Sequence, residues 1–210
     1  MKLIEIFILN RALDGEDIFS LPSFSTIYIS DMLISDAKDE LVEKGILSDH
    51  DSFTDEGARL AKRMSDFKLA KKYVQFEGAT FGIIENNIGV LLSGSGLGDY
   101  DFMAIDISNS VSQMFELFPF LKQDYESGEV EEMEMEFEDL AIKYDIAEGN
   151  SLRIKTADNS QGYITDEVFF ESGAKLYLYD SNAKMLKTID STGIRLLLEE
   201  RMAADGRGVN

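Results

Sequence analysis

Ala104-Ile105-Asp106-Ile107-Ser108, with a helix opening at Asn109, and Thr188-Ile189-Asp190-Ser191, with a helix opening at Thr192, are two versions of one phrase. Each closes a run of strand-like segments. At an offset of 83 residues Val111 falls on Ile194, Met114 on Leu197, Phe115 on Leu198 and Glu116 on Glu199. Both helices follow a Ser/Thr/Asn-rich cap, where a side-chain oxygen can satisfy a free backbone N–H. A repeated strand–strand–strand–helix unit implies two similar halves packed into one body. The halves are expected at about 1–125 and 126–210, within a single domain.

Outward from these phrases the hydrophobic period is close to two. Tyr73–Glu77, Thr80–Glu85, Ile88–Ser93 and Phe102–Ile107 read as four consecutive strands. Asn86-Asn87 reads as a tight hairpin, because Asn tolerates positive φ. Leu152–Thr156, Gly162–Glu171, Leu176–Asp180 and Met185–Ile189 form the second set, and Thr192 to about Met202 the closing helix. Short turns between successive strands argue for antiparallel pairing and an α+β fold, with a central antiparallel sheet flanked by helices.

Before the first strands the period is helical. Leu3–Leu13 reads as a helix. Ser30 caps a second, with Leu33, Ala37 and Leu41 on one face, ending at Lys44-Gly45-Ile46 in a glycine stop. Ser48–Ser52 reads as a polar turn. Thr54 opens a third helix with Asp55 and Glu56 in its first turn and Leu60, Ala61, Met64 and Phe67 buried. Glu126–Asp145 is very acidic, yet Val130, Met133, Phe137, Leu140, Ala141 and Tyr144 recur at three and four, so one amphipathic helix is expected there. Asp205–Asn210 reads as a frayed tail.

The composition narrows the function. In 210 residues there are 40 Asp and Glu against 20 Lys and Arg, a net charge of −20. Nucleic-acid binding draws most of its affinity from cations that neutralise phosphate, so that class starts behind. Without cysteine, thiolate nucleophiles, disulfides and zinc–thiolate sites are excluded. The apolar start, Met1 to Leu9, is interrupted by Glu5 and lacks the form of a secretory leader. No apolar run reaches membrane-spanning length. A soluble, cytoplasmic protein is expected.

Several local patterns suggest chemistry and lose it on inspection. Gly94-Ser95-Gly96-Leu97-Gly98 resembles a phosphate loop but leads to Asp99-Tyr100-Asp101 and a strand, not to a helix N-terminus. His50, the sole histidine, sits in a polar turn with no second His or Cys for a dyad or metal cage. Asp49, Asp51 and Asp55 alternate like a calcium loop, but Phe53 takes a ligand position and Thr54 the place of the turn glycine. The carboxylates of the acidic segment read as a solvated face, with cations or a basic partner as the alternative. No nucleophile, base and oxyanion site come together. The expectation is a protein without catalysis, metal or cofactor.

The second and third helices, with the turn between them, also read like part of a winged helix. Arg59, Lys62, Arg63, Lys68, Lys71 and Lys72 would supply its positive charge. The order of pieces as a whole resembles the EspG-type chaperones of type VII (ESX) secretion systems. It runs from Leu41–Leu47 with its Lys-Gly-Ile turn, through Ser48–Ser52 and Thr54–Phe67, to the strands Tyr73–Ile107 and the helix from Val111 to Phe118-Pro119. Gly162-Tyr163-Ile164 through Met202 then returns strands and a closing helix.

The resemblance covers nearly the whole chain and suggests a distant Gram-positive branch. It implies a pseudo-twofold body and a non-catalytic cytosolic role. The protein would bind a helical secreted substrate (PE–PPE-like, WXG-like or LXG-type) and keep it soluble for export. The corresponding region in that family points to Leu97 and Tyr100 on the strand connection, with Leu196 and Met202 of the last helix, as partner-binding residues. A winged-helix regulator and an acidic immunity or inhibitor protein stay open as alternatives.

Overall fold

A computed structural model describes the chain except residues 24–28, 86, 95–97, 126–131, 145, 147–149, 159–161 and 204–210. Three helices come first: α1 (Leu3–Leu13), α2 (Asp31–Glu43) and α3 (Asp55–Lys68), with the short strands β1 (Leu47–Asp49) and β2 (Ser52–Phe53) between the last two. The expected polar turn at Ser48–Ser52 is therefore a small antiparallel hairpin. Ser30 Oγ accepts from Leu33 N and caps α2. The helix ends as its glycine foretold. Gly45, at φ +68°, donates to Val42 O at 2.9 Å, and Ile46 N donates to Leu41 O at 2.9 Å. Ala37 and Leu41 are buried, but Leu33 is 56% exposed, because the packed part of α2 begins a turn later.

The rest of the fold is one nine-stranded antiparallel sheet. Four strands, β3 (Lys72–Phe76), β4 (Ala79–Glu85), β5 (Ile88–Ser93) and β6 (Asp101–Asp106), form a meander that leads into helix α4 (Ser110–Leu117). Four more, β8 (Ser151–Asp158), β9 (Gly162–Ser172), β10 (Lys175–Asp180) and β11 (Met185–Ile189), repeat it and lead into α6 (Ser191–Met202). The meanders meet at β3 and β8, which pair antiparallel from Lys72↔Asp158 to Gln75↔Lys155. Two equal meanders joined through their first strands in opposite directions give the sheet a pseudo-twofold topology.

The repeated Ile-Asp phrase marks equivalent caps. Asp106 Oδ1 accepts from Ser108 N at 2.9 Å at the 3-10 turn before α4, and Asp190 Oδ1 accepts from Gly193 N at 2.6 Å at α6. Asp106, the last residue of β6, caps the 3-10 turn that leads into α4, where Asn109 makes no side-chain cap, and Asp190 caps α6 ahead of the expected Thr192.

The acidic segment departs from expectation. Instead of one helix, its described residues form a three-residue strand, β7 (Glu132–Glu134), beside β11, and then an eight-residue helix, α5 (Phe137–Tyr144). Glu132-Met133-Glu134-Met135-Glu136 alternates with period two, and pairing with Met185–Lys187 brings Lys187 opposite Glu132. Val130 lies outside the described residues.

One face of the sheet is covered by α4 and α6. Val111, Met114, Phe115, Ile194, Leu198 and Met202 pack there on Val74, Ile83, Ile154, Phe169 and Leu178. The opposite face is covered unequally. Over the first meander α1, α2 and α3 lay Ile6, Leu9, Leu41, Met64 and Phe67 on Tyr73, Val90, Leu92 and Phe102. Over the second, among the described residues, α5 lays Leu140 on Val168, Phe170, Tyr179 and Leu186. Among the described residues no helix is long and apolar enough to cross a membrane.

Candidate partner-binding surface

The unequal cover leaves a strip of sheet between two walls. The first wall is built on Tyr73 of β3, whose ring is held by Phe67 of α3 and whose hydroxyl donates to Phe67 O at 2.9 Å. Burial pushes the Tyr73 phenol up to about 12. Phe19, from the connection after α1, stacks on Tyr73 with centroids 4.2 Å apart and touches Tyr163 of β9 at 5.6 Å. Ser20 beside it accepts from Thr80 Oγ1 at 3.0 Å. The second wall is α5, anchored by Leu140 and by Tyr179 Oη, which donates to Met135 O at 3.0 Å.

The floor between them comes from the polar side of β8 and β9. In β8, Leu152, Ile154 and Thr156 are buried towards α4 and α6, so Arg153 and Lys155 point to the opposite face. Arg153 donates to both oxygens of Asp166, each at 2.7 Å, and Lys155 Nζ lies 3.5 Å from Asp166. Burial pushes the Asp166 carboxyl up, but the Arg153 and Lys155 contacts outweigh it and hold the group below the usual range. Its own bonds to Asp166 raise the Arg153 guanidinium above its ordinary value.

Each cation also leans on one wall. Arg153 lies 5.8 Å from the Phe137 ring of α5, and Lys155 lies 5.5 Å from the Tyr163 ring. Tyr163 Oη donates to Gln75 Oε1 across the junction of the meanders at 3.2 Å. Phe137 is 38% exposed and Tyr163 55% exposed. Two cations sharing one carboxylate, framed by exposed rings, make a strip that is both charged and partly apolar in a chain of net charge −20. It offers stacking and charge-assisted hydrogen bonds.

A family model described as a domain of unknown function (DUF5081) matches residues 1–202. The chain belongs to the DUF5081 family. None of the curated proteins compared with it matches.

The residues singled out in this DUF5081 sequence do not converge. Leu97 lies outside the described residues. Tyr100 is half-buried, with its ring over Gly94, its N–H donating to Met1 O at 2.8 Å and its carbonyl accepting from Met1 N at 2.6 Å. Leu196 is 54% exposed on α6, over the other face of the sheet. Met202 is a core residue, because the same helix turns it inward with Ile194 and Leu198. It offers no free surface, and Tyr100, Leu196 and Met202 form no common patch.

The other sequence candidates are locally satisfied. His50 Nε2 lies 2.7 Å from Asp39 Oδ1 on the surface. A cleft of about 320 Å³ beside it, between α1, α2 and the β1–β2 hairpin, is lined by Phe7, Arg11, Lys38 and Phe53. Its cations are already engaged: Lys38 pairs with Asp51, and Arg11 lies over Phe7. Among the described residues no cluster of His, Asp and Glu is arranged to hold a metal.

The positive charge of α3 is engaged too. Arg59 and Arg63 share Glu56, Lys62 pairs with Asp66, and Lys68 reaches Asp14. The helix also lays its apolar side on the sheet. A recognition helix needs a free basic face for phosphate, so the winged-helix reading finds no support here.

Reasoning from the sequence missed Arg153, Lys155, Tyr163 and Phe137. The available signal was the cationic side of an alternating strand, Leu152-Arg153-Ile154-Lys155-Thr156, in an acidic chain.

Proposed function

We propose that this DUF5081 chain is a non-catalytic binding protein that seats a helical segment of a partner in the open strip between Phe19/Tyr163 and α5. Following its resemblance to EspG-type chaperones, we place it in the cytosol, where it keeps a helical type VII secretion substrate soluble until export. The observation that carries the reading is the unequal cover of one sheet face. Three helices roof the first meander and one short helix the second. A helix laid in the gap would complete the layer, as in other helix-in-groove complexes. The exposed rings at its rim would take apolar side chains, and Arg153 and Lys155 would take carboxylates.

Co-expression with WXG-like helical-hairpin and LXG-type proteins tests the proposal. Wild type should co-purify with one of them and melt at a higher temperature in its presence. Arg153→Glu with Lys155→Glu, and separately Tyr163→Ala, should lose the partner while keeping their own melting temperature. Leu196→Asp should retain it. Undiminished capture by both strip variants would remove the strip as the site. Failure to recover any helical partner would remove the chaperone role.

A further inference from the structure

Helix α5 turns three different sides to its surroundings. Leu140 points onto the sheet, where it packs on Val168, Phe170, Tyr179 and Leu186. At about 100° per residue, Phe137 lies about 60° round the helix from Leu140. That side faces the strip, since the Phe137 ring is 5.8 Å from the Arg153 guanidinium. Ala141, one turn further on, shares it and is exposed. Glu138 and Ile142 stand on the third side, at about 160° and 200° from Leu140, and so point away from the sheet.

The third side is open. Ile142 is 83% exposed, more than any other large apolar residue among those described. Glu138 is exposed and makes no ion pair among the described residues. The neighbouring floor carries the complementary chemistry. Asp166 takes Nε and Nη2 of Arg153 and leaves its Nη1 donors, and Lys155 Nζ approaches Asp166 only to 3.5 Å. Both cations therefore keep donors for a further carboxylate, beside the exposed Tyr163 ring.

A helix with an unpaired acid and a bare isoleucine thus lies next to a floor with spare cationic donors and a ring. A twofold axis between them makes such a patch its own complement, because each residue meets in the second copy the one that it serves there. The two α5 helices then lie side by side between two sheets, touching through Phe137 and Ala141. Glu138 and Ile142 of each copy reach Arg153, Lys155 and Tyr163 of the other.

We infer that in the free protein the strip is filled by α5 of a second copy, in an isologous dimer that closes the site to other helices. The inference rests on the strip being a seat for helices and supplies its regulation, since a partner's helix displaces the second copy's α5. The contact is small, because α5 is eight residues and about 12 Å long. Repulsion between two chains of net charge −20 weakens it further. The dissociation constant is expected on the order of 10–100 µM, weak enough for a tighter partner to compete.

Sedimentation equilibrium of the full chain from about 1 to 500 µM, at about 0.15 M salt, tests this. Wild type should pass from monomer to dimer. Ile142→Asp should weaken the dimer at least about tenfold at an unchanged melting temperature. Leu196→Asp, on the other face of the sheet, should leave it as it is.

A charge exchange identifies the contact. Glu138→Lys sets lysine against Arg153 and Lys155, while Arg153→Glu with Lys155→Glu sets glutamates against Glu138. Each protein alone should stay monomeric up to about 500 µM. Mixed in equal amounts they should dimerise, because both contacts of the mixed pair then join opposite charges. Ile142→Asp and Glu138→Lys replace exposed residues, so they test the contact even if the floor variant folds poorly. A dimer that Ile142→Asp or Glu138→Lys leaves intact overturns the inference. So does a wild type that is monomeric at about 500 µM. Such a monomer that still captures a helical partner overturns the dimer alone, and the seat for a partner's helix stands.

Discussion

Arg201, in the last turn of α6, holds Glu167 of β9 through two hydrogen bonds of 2.9 and 2.8 Å, and Glu167 is only 4% exposed. The pair ties the closing helix of the second half to the middle of its meander. Removing one partner of such a pair leaves a buried charge uncompensated. Arg201→Met should therefore destabilise the protein by about 3 kcal/mol in urea unfolding. Replacing both, with Glu167→Met added, should recover most of that loss, since two apolar groups need no partner. Equal destabilisation in the single and double variants would show that the helix is held by packing alone.

Lys72 lies beside this pair and donates to Glu200 O at 3.1 Å and to Ala203 O at 3.2 Å, closing the C-terminal end of α6. Burial pulls its amine down to about 8, and the nearby Arg201 charge adds to the effect. The folded state then binds fewer protons than the unfolded chain between about pH 8 and the ordinary lysine value of 10.5. Stability rises with pH wherever the unfolded state binds more protons. The contribution of Lys72, measured as wild type minus Lys72→Met, should therefore be smallest below pH 8 and grow towards pH 10.5. A difference that falls over that window contradicts the assigned cause.

Two glycines are required by what stands against them. A Cβ on Gly57 would lie 2.0 Å from the Ile46 carbonyl oxygen, a backbone atom fixed by the turn that ends α2. A Cβ on Gly82 would lie 2.9 Å from Phe67 Cδ2, a side chain with some freedom to shift. Gly57→Ala should cost about 3 kcal/mol or more, and Gly82→Ala about 1–3 kcal/mol. Denaturant midpoints at constant slope would read both, and the order matters more than the values. The reverse order would mean that the helix start yields more easily than the sheet core.

What the sequence disclosed depended on whether the signal was local. The eight meander strands and the helices α1, α2, α3 and α6 were legible, because alternation, caps and the Gly45 stop each act within a few residues. The repeated Ile-Asp phrase was legible because both aspartates cap the helical segment that follows a strand, Asp106 a 3-10 turn and Asp190 an α-helix. β7 was misread because Met133 and Phe137 also satisfy a helical spacing, and only pairing with β11 decides between the periods. The junction at β3 and β8 was beyond reach. Nothing near Gln75 signals that Tyr163, 88 positions away, will donate to it. The strip exists only once that junction is made, so its residues looked like ordinary solvent-facing positions. Met202 was misjudged for the converse reason: its exposure depends on the rotation of α6 over the sheet.

Asp166 supplies the sharpest test of the strip. It takes the Nε and Nη2 donors of Arg153, the bidentate edge that a partner's carboxylate would use. The pair is solvent-accessible, with the Arg153 side chain 47% exposed, so its contribution to folding should be at most about 1 kcal/mol. Asp166→Asn should leave stability nearly unchanged and free the guanidinium for an external acid. If acidic residues of a bound helix engage Arg153, this variant should bind the partner several-fold more tightly, with a steeper salt dependence. Arg153→Gln should move both quantities the other way. The two variants keep the shape of the floor and change only which charge is available. Identical affinities for wild type, Asp166→Asn and Arg153→Gln, measured by calorimetry at low and high salt, would show that the strip does not recognise charge.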